Sequence, residues 1–177
     1  MSAPDPRYPI GKFEYRGDPD PRQRAAWIDE IAALPAAFRA ALAGLRDDQL
    51  DTPYRPGGWT VRQVAHHVPD SHMNAYVRFK LALTEETPTI KPYDEARWAE
   101  TDDVRDTPVA VSLALLEALH QRWVALLRGM GEADFRRAFY HPETSATLPL
   151  ARVLGLYAWH GRHHTAHVTT VRGRMGW

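Results

Sequence analysis

Residues 147–171 read TLPLARVLGLYAWHGRHHTAHVTTV, and this stretch decides the fold. Val153, Leu154, Tyr157, His164, Val168 and Val171 recur at steps of three, four and seven, the spacing of one helical face, so a helix is predicted to begin near Thr147. Four histidines, at positions 160, 163, 164 and 167, lie inside it. At about 100° per residue, His164 falls within the arc of Leu150, Val153, Leu154, Tyr157 and Val168, and His160, one turn earlier, lies at its edge. His163 points away from that arc. Residues four apart share a face with Cβ atoms roughly 5 to 6 Å apart, so His160 and His164 can converge on one cation. His167 is an alternative ligand or a group that holds a ligating imidazole in one tautomer.

Three further helices with the same period precede this one. Asp20, Pro21 and Gln23 form a helix-start signature ahead of Trp27, Ile31, Leu34, Phe38, Leu42 and Leu45, with a kink expected near Pro35. Thr60 and Gln63 repeat the signature after Gly57-Gly58, opening a second helix over about 60–84 through Val61, Ala65, Val68, His72, Ala75, Phe79 and Leu83. Thr107 and Pro108 open a third, carrying Val109, Leu113, Leu116, Leu119, Trp123 and Leu126, with Gly129 expected to cap it. No strand pattern competes; Tyr140, His141 and Pro142 read as loop. The fold class is therefore all-α, a four-helix bundle with a long connection, ETPTIKPYDEARWAETDDVRD, between helices two and three. The proline-punctuated residues 1–20 read as an extended strap on a single domain spanning 1–177.

Composition limits what the bundle does. Lys plus Arg and Asp plus Glu both number 22 among 177 residues, which leaves no excess positive charge for phosphates or anionic lipids, so nucleic acid is not expected as a partner. No signal-peptide core or run of about 18 apolar residues is seen, so a cytoplasmic protein off the membrane is expected. Without cysteine, a transition-metal site has to rest on His, Asp or Glu.

Helix two carries further histidines. His72 lies near the middle of its apolar arc, His67 at the edge beside Ser71 and Asn74, and His66 and Asp70 towards solvent. By periodicity alone His67 and His72 are rivals for a place in a metal site, and His72 also fits a hydrogen-bonded core histidine. His120 and His141 stand alone and are given no role.

The segments GGWTVRQVAHHVPDSHMNAYVRFKLALTEE, PTIKPYDEARWAE and LYAWHGRHHTAHV closely resemble the YfiT family of metal-dependent hydrolases, in the DinB/YfiT-like superfamily. The resemblance covers nearly the whole chain. It implies a four-helix bundle, one zinc or nickel ion per chain, a homodimer, and metal ligands at His67, His160 and His164. His67 is preferred to His72 because it stands eight residues past Trp59, as the family pattern has it. Three imidazoles leave a metal position open for water, so hydrolysis of a small-molecule ester or amide is expected. No glutamate follows His160 as in H-E-x-x-H zinc proteases, and Asp70 is the one candidate for a proton-handling role. A metal-dependent small-thiol S-transferase or isomerase, and a non-catalytic metal-binding bundle, are the alternative readings.

Overall fold

The computed structural model describes residues 5–177. Four long helices form the bundle: α1 (Pro21–Leu42), α3 (Val61–Thr84), α6 (Val109–Gly129) and α8 (Leu150–Met175). Short helices α2 (Asp47–Leu50), α4 (Glu95–Trp98), α5 (Asp102–Asp106) and α7 (Glu132–Arg136) sit in the connections. The helix starts follow the signatures in the sequence. The Asp20 carboxylate accepts from the Gln23 amide at 2.7 Å ahead of Pro21, and Thr60 and Gln63 cap one another reciprocally, at 3.1 and 2.9 Å. Pro35 and Pro69 both lie inside unbroken helices.

Pairwise contacts fix the topology. Ser71 meets Tyr157 and His67 meets His160, so α3 and α8 are antiparallel; His66 meets Ser112 and His72 meets His120, so α3 and α6 are parallel. Arg39 pairs with Glu117 and Arg128 with Asp29, so α1 and α6 are antiparallel. The directions run up, down, down, up. Two consecutive bundle helices that point the same way need a connection returning the length of the bundle, which is why α3 and α6 are joined by the long link. That link is not a plain loop. It forms α4 and α5, and Ile90 donates to the Tyr140 carbonyl at 3.0 Å while Tyr140 donates to that of Pro88 at 2.9 Å.

Three expectations change. A two-stranded antiparallel hairpin, β1 (Ala138–His141) with β2 (Ala146–Pro149), replaces the loop around Tyr140, and Phe139 faces Leu148 across it. Thr147 belongs to β2, so α8 starts three residues later, where Pro149 ends the ladder and supplies the helix N-cap. Gly129 ends α6 without a left-handed cap, because the chain leaves through Met130 in extended conformation. By length and composition α6 is also long and apolar enough to cross a membrane, but Leu113, Leu116, Trp123 and Leu127 are buried within the bundle.

Met1–Pro4 lie outside the described residues. From Asp5 onward the N-terminal segment crosses α8: Trp159 donates its indole N–H to the Gly11 carbonyl at 3.2 Å, and Phe13 packs on Trp159.

Two apolar clusters fill the bundle. One contains Phe79, Trp123 and Leu154, the other Phe38, Val61, Leu116 and Val168. Along α3, α6 and α8 the histidines fall between them, at 66–72, at 120 and at 160–167.

Candidate metal centre

The histidine layer is wider than the helical wheels indicate. His66, His67, His72, His120, His163, His164 and His167 are buried, and His160 is half-buried at the wall of a cavity. This corrects two expectations. His66 does not face solvent; its Nδ1 lies 2.7 Å from the Ser112 hydroxyl. His163, although off that arc, is not open to solvent; it stacks on Trp159 with ring centroids 4.3 Å apart and is covered by Tyr8. Each lies outside the apolar stripe of its helix, and each is covered by an element that the stripe of one helix does not reveal: α6 over His66, the N-terminal segment over His163.

His67 from α3 and His160 and His164 from α8 come together, each offering a ring nitrogen within 4.8 Å of the others. Nε2 of His67 and Nε2 of His160 are 3.3 Å apart. His163, His164 and His167 form a second such group on α8 alone, sharing His164. Trp59 packs against His67, ring centroids 4.7 Å apart, and fixes it from the start of α3.

A chain of hydrogen bonds sets the tautomer of His160. The Ile31 carbonyl, which can only accept, lies 2.7 Å from Nδ1 of His120, so that nitrogen carries the proton and Nε2 of His120 presents a lone pair. That lone pair faces Nδ1 of His72 at 3.0 Å, so His72 donates there and its own Nε2 accepts. Nδ1 of His160, 3.1 Å from it, is then the donor, and Nε2 of His160 is left with its lone pair towards His67. A shorter chain of longer contacts acts on His164: the Arg7 carbonyl is 3.4 Å from Nε2 of His167, whose Nδ1 is 3.4 Å from Nδ1 of His164. His120 and His72, which periodicity leaves alone or in the core, therefore orient a candidate ligand.

Burial also keeps these rings neutral. Loss of hydration pushes His67, His120, His163 and His167 down to about 4 and holds His72, His160 and His164 well below the usual histidine range. Neutral imidazoles with directed lone pairs, from two helices and in a cysteine-free chain, fit a borderline divalent cation such as zinc or nickel.

Beside the three histidines opens a cavity of about 850 Å³ whose wall includes Ser71, Tyr157, Val153, Leu156 and Phe139. The Ser71 and Tyr157 hydroxyls are 3.3 Å apart there. Asp70 does not join the site. Its carboxyl is pushed up to about 6 by burial and by Asp103, it is not among the residues lining the cavity, and among the described residues it bonds no histidine.

The DinB superfamily model matches residues 30–168. The chain is 51% identical over 177 residues, 100% of its own length and 99% of the relative's, to the protein named "Putative metal-dependent hydrolase YfiT" in Bacillus subtilis. It is 57% identical over 173 residues, 98% of this chain and 99% of the other, to a protein of Bacillus cereus named "Putative metal-dependent hydrolase". Among solved structures, Bacillus subtilis YfiT matches with a TM-score of 0.95 and 52% identity over 97% of this chain and 98% of that one. It is described as "a probable metal-dependent hydrolase with an unusual four-helix bundle topology". The chain belongs to the YfiT family of the DinB superfamily.

Proposed function

We propose that the protein hydrolyses a small-molecule ester or amide with one zinc or nickel ion held by His67, His160 and His164. The observation that carries the reading is the hydrogen-bond chain from Ile31 through His120 and His72, which leaves Nε2 of His160 free beside His67 at the wall of an open cavity. Three ligands next to open space suit a catalytic ion better than a structural one, whose shell is closed.

When bound, the ion supplies a Lewis acid that polarises a carbonyl and lowers the pKa of water towards about 7. The residues do the rest. His72 and His120 hold His160 in one tautomer, Trp59 holds the His67 ring, and the Ser71 and Tyr157 hydroxyls offer hydrogen bonds to a substrate oxygen or leaving group. Hydrolysis adds the oxygen of water to the acyl carbon, breaks the bond to the leaving oxygen or nitrogen, and returns a proton to that atom. A homodimer remains our expectation from the resemblance, and light scattering on the purified protein reads it.

The test is elemental analysis beside ester hydrolysis, for wild type and for His67→Ala, His160→Ala and His164→Ala. The expected result is about one zinc or nickel per wild-type chain, with metal and hydrolysis lost together in each variant. Metal bound without hydrolysis of any ester, but with adduct formation from a small thiol, points to the S-transferase reading instead. Metal retained in all three variants removes the site assignment.

A further inference from the structure

The cavity beside the histidines is not evenly charged. Arg7, Arg55, Arg78 and Arg152 line it, and Glu95 is the one carboxylate among its lining residues. Two of the arginines are engaged. Arg7 is paired with Asp5 at 2.8 Å, and Arg55 lies over the Tyr54 ring and donates to the Pro56 carbonyl. Arg78 and Arg152 have no carboxylate oxygen within 4.0 Å among the described residues. Arg152 rests against the Tyr15 ring, 5.8 Å from its centroid, and Glu95, on the same wall, stays beyond ion-pair distance of Arg78.

These two arginines come from different helices and start from similar heights in the bundle. Ser71 on α3 faces Tyr157 on α8, and the helices are antiparallel. The Cα atoms of Arg78, two turns after Ser71, and Arg152, more than a turn before Tyr157, therefore lie within about one turn of each other along the helix axes. Arg78 is eleven residues beyond His67 on the same face of α3, a rise of about 16 Å, and helical side chains lean back towards the N-terminus. Its guanidinium is thus set on the order of 10 Å from the imidazoles, and past the Ser71 and Tyr157 hydroxyls the cavity wall carries apolar Val153, Leu156, Phe139 and Leu148.

We infer that Arg78 and Arg152 form an anion-binding subsite, so that the substrate of the hydrolytic reading carries a carboxylate or phosphate group roughly 10 Å from the bond that is cleaved, with an apolar stretch between. This rests on the proposed function for the cleaved bond, but the subsite can be tested without it. Guanidinium forks give paired, charge-assisted hydrogen bonds to either anion, and an arginine at the cavity wall without a carboxylate partner, half-buried as Arg78 is or exposed as Arg152 is, is free to do so.

The experiment compares octanoate with its neutral isostere octanamide, by calorimetry or by quenching of tryptophan fluorescence, on protein as purified, with zinc added and with zinc chelated. Octanoate is expected to bind about tenfold more tightly than octanamide even with zinc chelated, the order of one charge-assisted contact. The gap is expected to close in Arg78→Gln and in Arg152→Gln, and to persist in Arg128→Gln, whose arginine pairs with Asp29 elsewhere on the surface. Equal affinities in chelated wild type, or an unchanged gap in both cavity variants, overturn the subsite. Zinc content read on the same samples tests the metal reading separately, since its loss leaves the chelated comparison intact.

Discussion

His72 is the residue whose part in the site periodicity could not assign. It sits mid-arc, which suits a core residue, and its role appears only when the Ile31 carbonyl is traced through His120 to it and on to His160. A backbone carbonyl on another helix leaves no signal in a sequence. The tautomer argument makes a sharp prediction. His72→Phe keeps the volume but removes the acceptor for the His160 Nδ1–H, so zinc affinity is expected to fall about 10- to 100-fold, as for other groups that orient metal ligands. His72→Gln supplies one donor and one acceptor and is expected to recover most of it. A competition titration against a chelating dye reads the affinity, and the nitrogen chemical shifts of His160 read which ring nitrogen carries the proton. A Gln variant as weak as the Phe variant would remove the relay. His163 and His67 separate the two histidine groups in the same way: zinc is expected to persist in His163→Ala, at some cost in stability from the lost Trp159 stack, and to disappear in His67→Ala. The reverse pattern places the ion on α8 alone.

At the scale of elements, the helix starts were legible because capping is local: Asp20 with Gln23 and Thr60 with Gln63 satisfy amides three residues away. The hairpin was not. Its strands, AFYH and ATLP, are four residues each, too short to show alternation, and part of what holds them is the distant Pro88–Ile90 segment. The contact between α1 and α8 was hidden for a related reason, since glycines inside a helical period look like weak points. Here they let helices approach. A Cβ on Gly161 meets the Leu34 side chain at 2.5 Å, and one on Gly155 meets the Trp27 ring at 2.8 Å. Gly161→Ala is therefore expected to destabilise the fold by about 1–3 kcal/mol through overpacking, even though alanine is the better helix former. Gly173→Ala, near the exposed end of α8 with nothing within 4 Å, is expected to be neutral or to stabilise by up to about 1 kcal/mol. Chemical denaturation of the two variants decides it. Equal midpoints would mean that the α1–α8 interface relaxes freely around the added methyl.

At the scale of the whole molecule, a belt of histidines divides two apolar cores, and no helical wheel could have shown it, because each wheel treats its helix alone. The belt ties folding to pH. Buried rings such as His67, His120, His163 and His167 titrate near 4 in the folded protein, whereas an unfolded chain protonates them near 6.5. Between those values the unfolded state binds more protons, so stability falls as pH falls, with each such group contributing on the order of 1.4 kcal/mol per pH unit at most. Carboxyls raised by burial act with the opposite sign. Asp70, pushed up to about 6, takes its proton earlier in the folded protein and gains stability as pH drops below 6, and Glu95, also raised, leans the same way. Two carboxyls do not offset the histidine layer, so the net effect is loss. Zinc-chelated protein is therefore expected to be most stable near neutral pH, and its denaturation midpoint is expected to fall steadily from about pH 6.5 towards pH 4. Removing one titrating ring in His72→Gln should flatten that slope by about one proton. Midpoints that stay level across this window would mean that the histidines are hydrated in solution, and the neutral, directed lone pairs on which the metal centre rests would go with them.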